Sequence, residues 1–409
     1  MANRKRKKEN IIKKIKKIFN KRVLQSRLRF NVMETIIFML VTFAFGLIIG
    51  GIVMYGKGYF RSSTSLNEFV STYNDIVDSY YTEVNQDELL EAGINGMINY
   101  LGDPYAAYMG KENAENFNDD VEGIYHGIGV ELKYDEKTKK YIINKVFENS
   151  PSDKAGLKEN DELIKINETD IRDTSMDSIA SMVKGEDNTK VKITVIRDNK
   201  EMTFNVVRGI VDNISVGSRI IKHNGKKVGY IGISIFASNT YKQFKTQLED
   251  LEKKKIDSLI IDVRGNSGGY LTIVTDIVSL FVSRGKPIYQ LQTKDKIEIV
   301  NDETSEERDY SIVILTNGAS ASASEVLTAA LKESYGAKSV GTKTYGKGKV
   351  QKVYSLSSGA LVKYTFQEWL TPKGNKIDKN GISPDVEIKF DITKNVDVQL
   401  QEALEIITK

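Results

Sequence analysis

Residues 311–333 read SIVILTNGASASASEVLTAALKE. The apolar run SIVILTN has the length and composition of a buried strand, and SEVLTAALKE has the residues of a helix, so one turns into the other within a few positions. The same rhythm continues on both sides. YIGISIF (230–236) precedes a helix with Tyr241, Phe244, Leu248 and Leu251 on one face, and SLIIDV (258–263) precedes a helix over 270–282. KSVGTKT (338–344) supplies a further strand, 359–370 reads as hairpin strands, and 396–407 reads as a final helix. Strands alternating with helices predict an α/β sheet domain.

Upstream the texture changes. From 122 to 208 the chain carries short strands (GIGVELKY, KYIINKVF, ELIKIN, VKITVIR and EMTFNVV) and one strong helical segment, 176–183, which together make a small module. Before it, Leu66, Phe69, Tyr73, Ile76 and Tyr80 recur at steps of three and four, which predicts an amphipathic helix, and a second helix is expected over 86–101. A turn around Pro104 and a polar acidic stretch to Asp120 follow.

The 409 residues are 40% apolar and 28% charged, enough to bury more than one core. Charge is distributed unevenly. Residues 1–33 hold thirteen Lys or Arg and a single acid, Glu9, while residues 34–409 carry 46 basic and 54 acidic residues, a net charge of −8. Next to the basic run, TIIFMLVTFAFGLIIGGIVMY (35–55) is uncharged and long enough to cross a bilayer. The cations predict a cytoplasmic N-terminus and place everything after the span outside the cytoplasm, on a single-pass, uncleaved anchor in the cell membrane. That position suits anionic lipid, and no nucleic-acid partner is expected.

The chain has no cysteine and two histidines, His126 and His223. Thiolate chemistry and disulfides are excluded, and the histidines leave too few ligands for zinc, so no metal and no cofactor is expected. Neither histidine shows an acid partner in the sequence, which argues against a Ser-His-Asp site. Glycine-rich GTKTYGKGKVQ (341–351) lacks the spacing of a phosphate-binding loop. Ser181 and Lys184 fit S-x-x-K without the companion motifs of penicillin-binding proteins.

A serine with a lysine base remains. Lys347, between Gly346 and Gly348 at the end of an expected strand, is the candidate base, and the glycines are expected to let the backbone approach a substrate. An exposed loop lysine is the alternative. The serine row lies where a helix begins, so unpaired N–H groups there could hold an oxyanion, with DVRGNSGG (262–269) as a second donor loop. Ser324 reads as a helix N-cap with Glu325 in the first turn. These arguments do not choose among Ser320, Ser322 and Ser324.

The paired segments NGASASASEVLTAALKE (317–333) and VGTKTYGKGKVQ (340–351) resemble the carboxyl-terminal processing peptidases, or tail-specific proteases. DVRGNSGG is similar to that family's oxyanion loop, LTPKGNKIDKNGISPDVEI (370–388) to its closing signature, and LGDPYAAYM (101–109) to the segment before its inserted PDZ module. The resemblance implies Ser322 as nucleophile, Lys347 as general base, Gln351 as the residue orienting the lysine, and Gly268 and Ala323 as oxyanion donors. SPSDKAGLKENDELIKIN (150–167) resembles the middle of a PDZ domain, which implies that Gly127, Ile128, Gly129 and Val130 receive a peptide's terminal carboxylate. Lys184 stands where many relatives carry arginine.

The expected chain is a multidomain α/β (α+β) protein. It has a basic tail (1–33), a transmembrane anchor (34–56), a helical segment (62–120), a PDZ domain (121–208), a mixed-sheet α/β serine protease core (209–390) and a C-terminal helix (391–409). Its expected partners are polypeptide substrates bound through their C-terminal tails, the membrane through residues 35–55, and a second copy through the terminal helices. The rival reading is a non-catalytic PDZ adaptor that binds protein C-termini.

Overall fold

The computed structural model describes residues 32–56, 64–391, 393–394 and 396–409. Nearly all of the basic tail lies outside the described residues. Two units divide the chain, Met1–Ala92 and Gly93–Lys409. In the first, helix α1 (Val32–Gly56) is long and apolar enough to cross a membrane over Met33–Gly50. Helix α2 (Thr64–Ser79) carries Leu66, Phe69 and Val70 exposed on its surface. Asn85 caps helix α3 (Gln86–Tyr100), accepting from the Asp87 N–H at 3.1 Å.

Strand β1 (Ala107–Met109) leads into helix α4 (Lys111–Glu122), where the sequence reads only as a polar stretch. The small module begins with β2 (Ile124–Gly127), β3 (Val130–Asp135) and β4 (Lys140–Val146). In the short helix α5 (Pro151–Ala155), Ser150 is the N-cap, Pro151 opens the first turn and Gly156 closes it in the left-handed conformation. Then come β5 (Glu162–Ile166), β6 (Thr169–Asp170), α6 (Met176–Val183), β7 (Lys190–Arg197) and β8 (Lys200–Val207). The sheet runs β3-β4-β5-β7-β8, so β3 is an edge strand. Alternate residues Val191, Ile193 and Val195 of β7 are fully buried, the signature of a strand with one face on a core. Strand β9 (Gly209–Asp212) returns beside β2, and the Asn213 N–H donates to the Gly123 carbonyl at 2.7 Å. Entry and exit of the module are therefore zipped together.

The remaining chain builds the larger domain. It contains β10 (Val216–His223), β11 (Lys226–Ile233), α7 (Thr240–Lys253), β12 (Ser258–Asp262) and α8 (Leu271–Val278). The hairpin β13 (Pro287–Gln292) and β14 (Ile297–Asn301) precedes β15 (Ile312–Thr316), α9 (Ala323–Ala330) and β16 (Lys338–Gly341). Strands β17 (Lys349–Ser355), β18 (Leu361–Leu370) and β19 (Val386–Glu387), and helix α10 (Val398–Thr408), complete it. The main sheet has the order β10-β11-β12-β15-β16-β19, parallel except for β10 against β11. Every residue of β12 and β15 is buried, as expected for parallel strands covered on both faces. Leu259 and Ile261 face a core with Phe244, Leu248, Ile277 and Leu327, whereas Ile260 and Val313 pack with Leu404 and Ile407 of α10. A second sheet, β1-β18-β13-β14 with β17 also beside β18, carries the buried Trp369.

Arg264, just after β12, holds α10 in place. Its Nη2 lies 2.6 Å from Asp262 and 2.7 Å from Asp397, and its Nη1 donates to Gln399 Oε1 at 2.9 Å. Asp397 also caps α10 through the Leu400 N–H at 3.0 Å. Burial works against its charge, yet Arg264 and the N–H donors outweigh it and hold the carboxyl below the usual range. Arg264→Ala leaves Asp262 buried without its cation and is expected to cost about 3–5 kcal/mol, read from a denaturant melt. Because Asp397 contributes at neutral pH and loses that contribution as pH falls through its lowered value, the difference from wild type should shrink in acid.

Candidate active site

The parallel strands β12 and β15 both end at the same edge of the sheet, where α/β folds place ligand sites. Between β15 and α9 the chain turns sharply at Ser322, whose φ of 53° and ψ of −113° are a strained backbone for a residue with a Cβ. Strand, sharp turn and helix follow one another here, with Ser322 at the turn. Ser322, not Ser324, occupies the N-cap position.

The three serines have separate fates. Ser320 is fully buried and donates to the Val263 carbonyl at 2.8 Å; Ser324 is fully buried and donates to the Asn266 carbonyl at 2.9 Å. Ser322 alone of the three lines a cavity of about 480 Å³, together with Lys347, Gln351, Gly268 and Ala323. The Ala323 N–H meets no acceptor among the described residues. A Cβ on Gly268 would stand 2.9 Å from Ser322 Cβ, and its φ is 116°, so glycine is required there. The Gly268 N–H donates to Asn266 Oδ1 at 2.8 Å, so one of the two expected oxyanion donors is free and the other engaged.

Glu325, in the first turn of α9, is fully buried. Its Oε2 accepts from the N–H groups of Ser322 and Lys347, both at 2.8 Å, and its Oε1 from the Gly346 N–H at 2.7 Å and the Thr344 hydroxyl at 2.6 Å. One carboxylate thus holds the backbone of both candidate catalytic residues. Glu325 reaching back to the N-cap amide is half of a capping box, which S-x-x-E at 322–325 announces. The other donors are invisible to local pattern.

Lys347 is half-buried in the coil before β17, not at the end of a strand. Burial pushes its ammonium below the ordinary lysine pKa and the charge of Lys363 adds to this, against the opposing pull of Asp103 and Glu325. Its Nζ lies 5.0 Å from the centre of the Tyr105 ring. Gln351 Nε2 donates to the Thr365 hydroxyl at 3.4 Å. Among the described residues, the side chains of Ser322, Lys347 and Gln351 share the cavity without hydrogen bonds to one another. Gly346 and Gly348 make room for another segment of the chain. A Cβ at 348 would come within 2.5 Å of the Asp378 N, and one at 346 within 3.0 Å of the Gly381 N, so both glycines admit the turn 378–381.

Against this geometry, the family model of peptidase family S41 matches residues 227–388. The carboxy-terminal processing protease CtpB of Bacillus subtilis (strain 168) is 36% identical over 347 residues, covering 84% of this chain and 72% of that protein. The chain belongs to peptidase family S41. Its relatives there are carboxy-terminal processing serine proteases. A PDZ domain model matches 126–207 and a model of the activating protease CtpB N-terminal domain matches 55–113. The Staphylococcus aureus (strain MRSA252) relative named "Probable CtpA-like serine protease" is 36% identical over 79% of this chain and 65% of its own length. A solved photosystem II D1 C-terminal processing protease aligns over 85% of this chain and 98% of that one, with 22% identity and a TM-score of 0.48.

In the PDZ domain of this S41 chain, Ile128 is buried and the N–H groups of Ile128 and Gly129 meet no acceptor among the described residues. Gly129 has φ 76°, and a Cβ there would strike Ser150, while Gly127 ends β2 and Val130 begins β3. Both histidines do have acid partners, contrary to expectation. His126 lies 2.8 Å from Asp187 and 3.4 Å from Asp119, and His223 lies 2.9 Å from Glu405. Neither histidine lines the Ser322 cavity. The Ser181 hydroxyl, in α6, donates to the Asp177 carbonyl at 3.0 Å. Sequence reading missed the roles of Glu325, Asp103, Tyr105 and Thr365. Pro104 signals a turn, but nothing local says what the turn touches.

Glu325→Ala leaves three N–H groups and the Thr344 hydroxyl without their acceptor. It is expected to cost about 3–5 kcal/mol in a denaturant melt and to speed hydrogen exchange at the Ser322 and Lys347 amides.

Proposed function

We propose that this chain is a membrane-anchored extracytoplasmic serine endopeptidase that cuts polypeptides at or near their C-terminal tails. Ser322 is the nucleophile, Lys347 the general base and Gln351 the residue that orients the lysine. The observation that carries the reading is the shared acceptor Glu325 Oε2, which ties the backbones of Ser322 and Lys347 to one point beside one cavity.

Neutral Lys347 Nζ takes the Ser322 proton as Oγ bonds to the substrate carbonyl carbon. Negative charge forming on the carbonyl oxygen meets the Ala323 N–H, and the Gly268 N–H joins once Asn266 Oδ1 releases it. The Lys347 ammonium then gives its proton to the leaving amine, and water repeats the sequence to free the acyl group. With Gln351 Nε2 on Thr365, the amide oxygen is left for the lysine. At the PDZ domain, the N–H groups of the 127–130 loop receive a terminal carboxylate while the tail adds a strand to the β3 edge. The domain order is basic cytoplasmic tail (1–33), anchor (34–56), helical segment (62–120), PDZ domain (121–208), protease core (209–390) and C-terminal helix (391–409). The apolar α1 beside the cationic tail supports this topology. The terminal helices are the surfaces we assign to self-association.

With full-length chain in detergent and a polypeptide bearing an unstructured tail, Ser322→Ala and Lys347→Ala are each expected to slow cleavage at least about 10³-fold, followed by mass spectrometry. Cleavage that survives Ser322→Ala but disappears in Ser320→Ala would sink the assignment. The rate should rise with pH through the lowered Lys347 value, since the neutral amine is the working form. Lys363 disfavours the ammonium, so Lys363→Met should move that limb to higher pH. Asp103 favours the ammonium, so Asp103→Asn should move it to lower pH.

A further inference from the structure

A second cavity, about 440 Å³, lies against Lys347. It shares Lys347 and Ser267 with the Ser322 cavity but includes neither Ser322 nor Ala323. Its lining is small and aromatic: Gly318, Ala319 and Ala321, with the rings of Tyr105 and Tyr345. Each wall is held independently of the lysine. The Tyr345 N–H donates to the Ser320 carbonyl at 3.0 Å. Tyr105 is set by the turn at Asp103, whose carboxylate accepts the Tyr105 N–H at 2.9 Å and the Thr365 N–H of β18 at 3.1 Å. Burial opposes the charge on Asp103, but the hydrogen bonds from Thr365 and Tyr105 prevail and keep it ionised.

The alternation in ASASAS follows from this arrangement. Ser320 and Ser324 point their hydroxyls at the 263–266 loop, while Ala319 and Ala321 line the second cavity with methyl groups alone. A larger side chain at either alanine would reduce that space. The base must protonate the leaving amine, so the chain beyond the scissile bond passes Lys347 on the side away from the acyl group and the oxyanion donor. We propose that this cavity is the subsite for the first side chain after the scissile bond, and that it takes an apolar or aromatic residue between Tyr105 and Tyr345. The proposal rests on the Ser322/Lys347 reading above.

The test uses full-length chain in detergent and peptides identical up to the cut, with Gly, Ala, Leu or Phe as the first residue after it; cut sites are verified by mass spectrometry. For wild type, kcat/KM for the Phe peptide is expected to exceed that for the Gly peptide. Ala319→Trp, at an exposed position, should lower the Phe-to-Gly ratio about tenfold or more by filling the slot. Tyr345→Ala, which removes an exposed wall, should lower the same ratio. Taking the ratio within each variant cancels any general loss of activity, and Tyr345→Ala decides the matter if Ala319→Trp does not fold. Ser322-dependent cleavage with a wild-type ratio at or below one, or with a ratio unmoved in the variants, would overturn the subsite alone. No cleavage by wild type, or cleavage indifferent to Ser322→Ala, would overturn the peptidase reading and the subsite with it.

Discussion

A buried carboxylate, Glu325, with no cation at its oxygens among the described residues, holds this domain's working edge together. Desolvating Glu325 is costly, and the cost is offset only because three backbone N–H groups and one hydroxyl converge on it. Those donors come from two segments that are separate in sequence, the start of α9 and residues 344–347. Once the carboxylate is solvated in this way, the positions of Ser322 and Lys347 are coupled through their backbones. The strained φ/ψ of Ser322, a conformation worth roughly 1–3 kcal/mol, persists because the surrounding bonds over-determine it.

The rest of the edge is arranged around that point. Ser320 and Ser324 fasten the serine row to the loop after β12, which brings Gly268 against Ser322. Behind the loop, Arg264 joins it to the capping residue of α10, so the last helix of the chain buttresses the layer on which the site stands. On the far side, the turn at Asp103 inserts Tyr105 beside Lys347 and anchors itself on β18. The lysine is thus enclosed by residues far apart in sequence, from Tyr105 to Trp369, which is how its amine becomes desolvated without being placed in a closed interior.

The PDZ domain enters and leaves this framework through one antiparallel ribbon, β2 with β9. An insertion whose two ends are hydrogen-bonded neighbours leaves the main sheet uninterrupted, so β10 begins the core as though the module were a loop. His126, on that ribbon, meets Asp119 of α4 and Asp187 of the PDZ domain. Its hydrogen bond to Asp187, aided by the charge of Asp119, raises its pKa despite some burial.

Local pattern was enough for much of the architecture. The continuous apolar runs of β12 and β15, the alternation in β7, the three-and-four spacing of α2 and the uncharged span in α1 were all legible, because each is a pattern of apolar side chains carried within one element. The α4 helix was not, since its sequence carries few apolar residues to mark a face, and the β13–β14 hairpin lacked a distinct turn signal. At the site, residue type and position narrowed the chemistry to a serine with a lysine base but left Ser320, Ser322 and Ser324 open, and only the resemblance to the carboxyl-terminal processing peptidases paired Ser322 with Lys347. Which hydroxyl faces the cavity, which amide is engaged, why two glycines flank Lys347 and what Tyr105 touches were decided only by the tertiary structure. Those outcomes depend on hydrogen bonds and exclusion of water by segments tens to hundreds of residues apart, and no local periodicity encodes such a meeting.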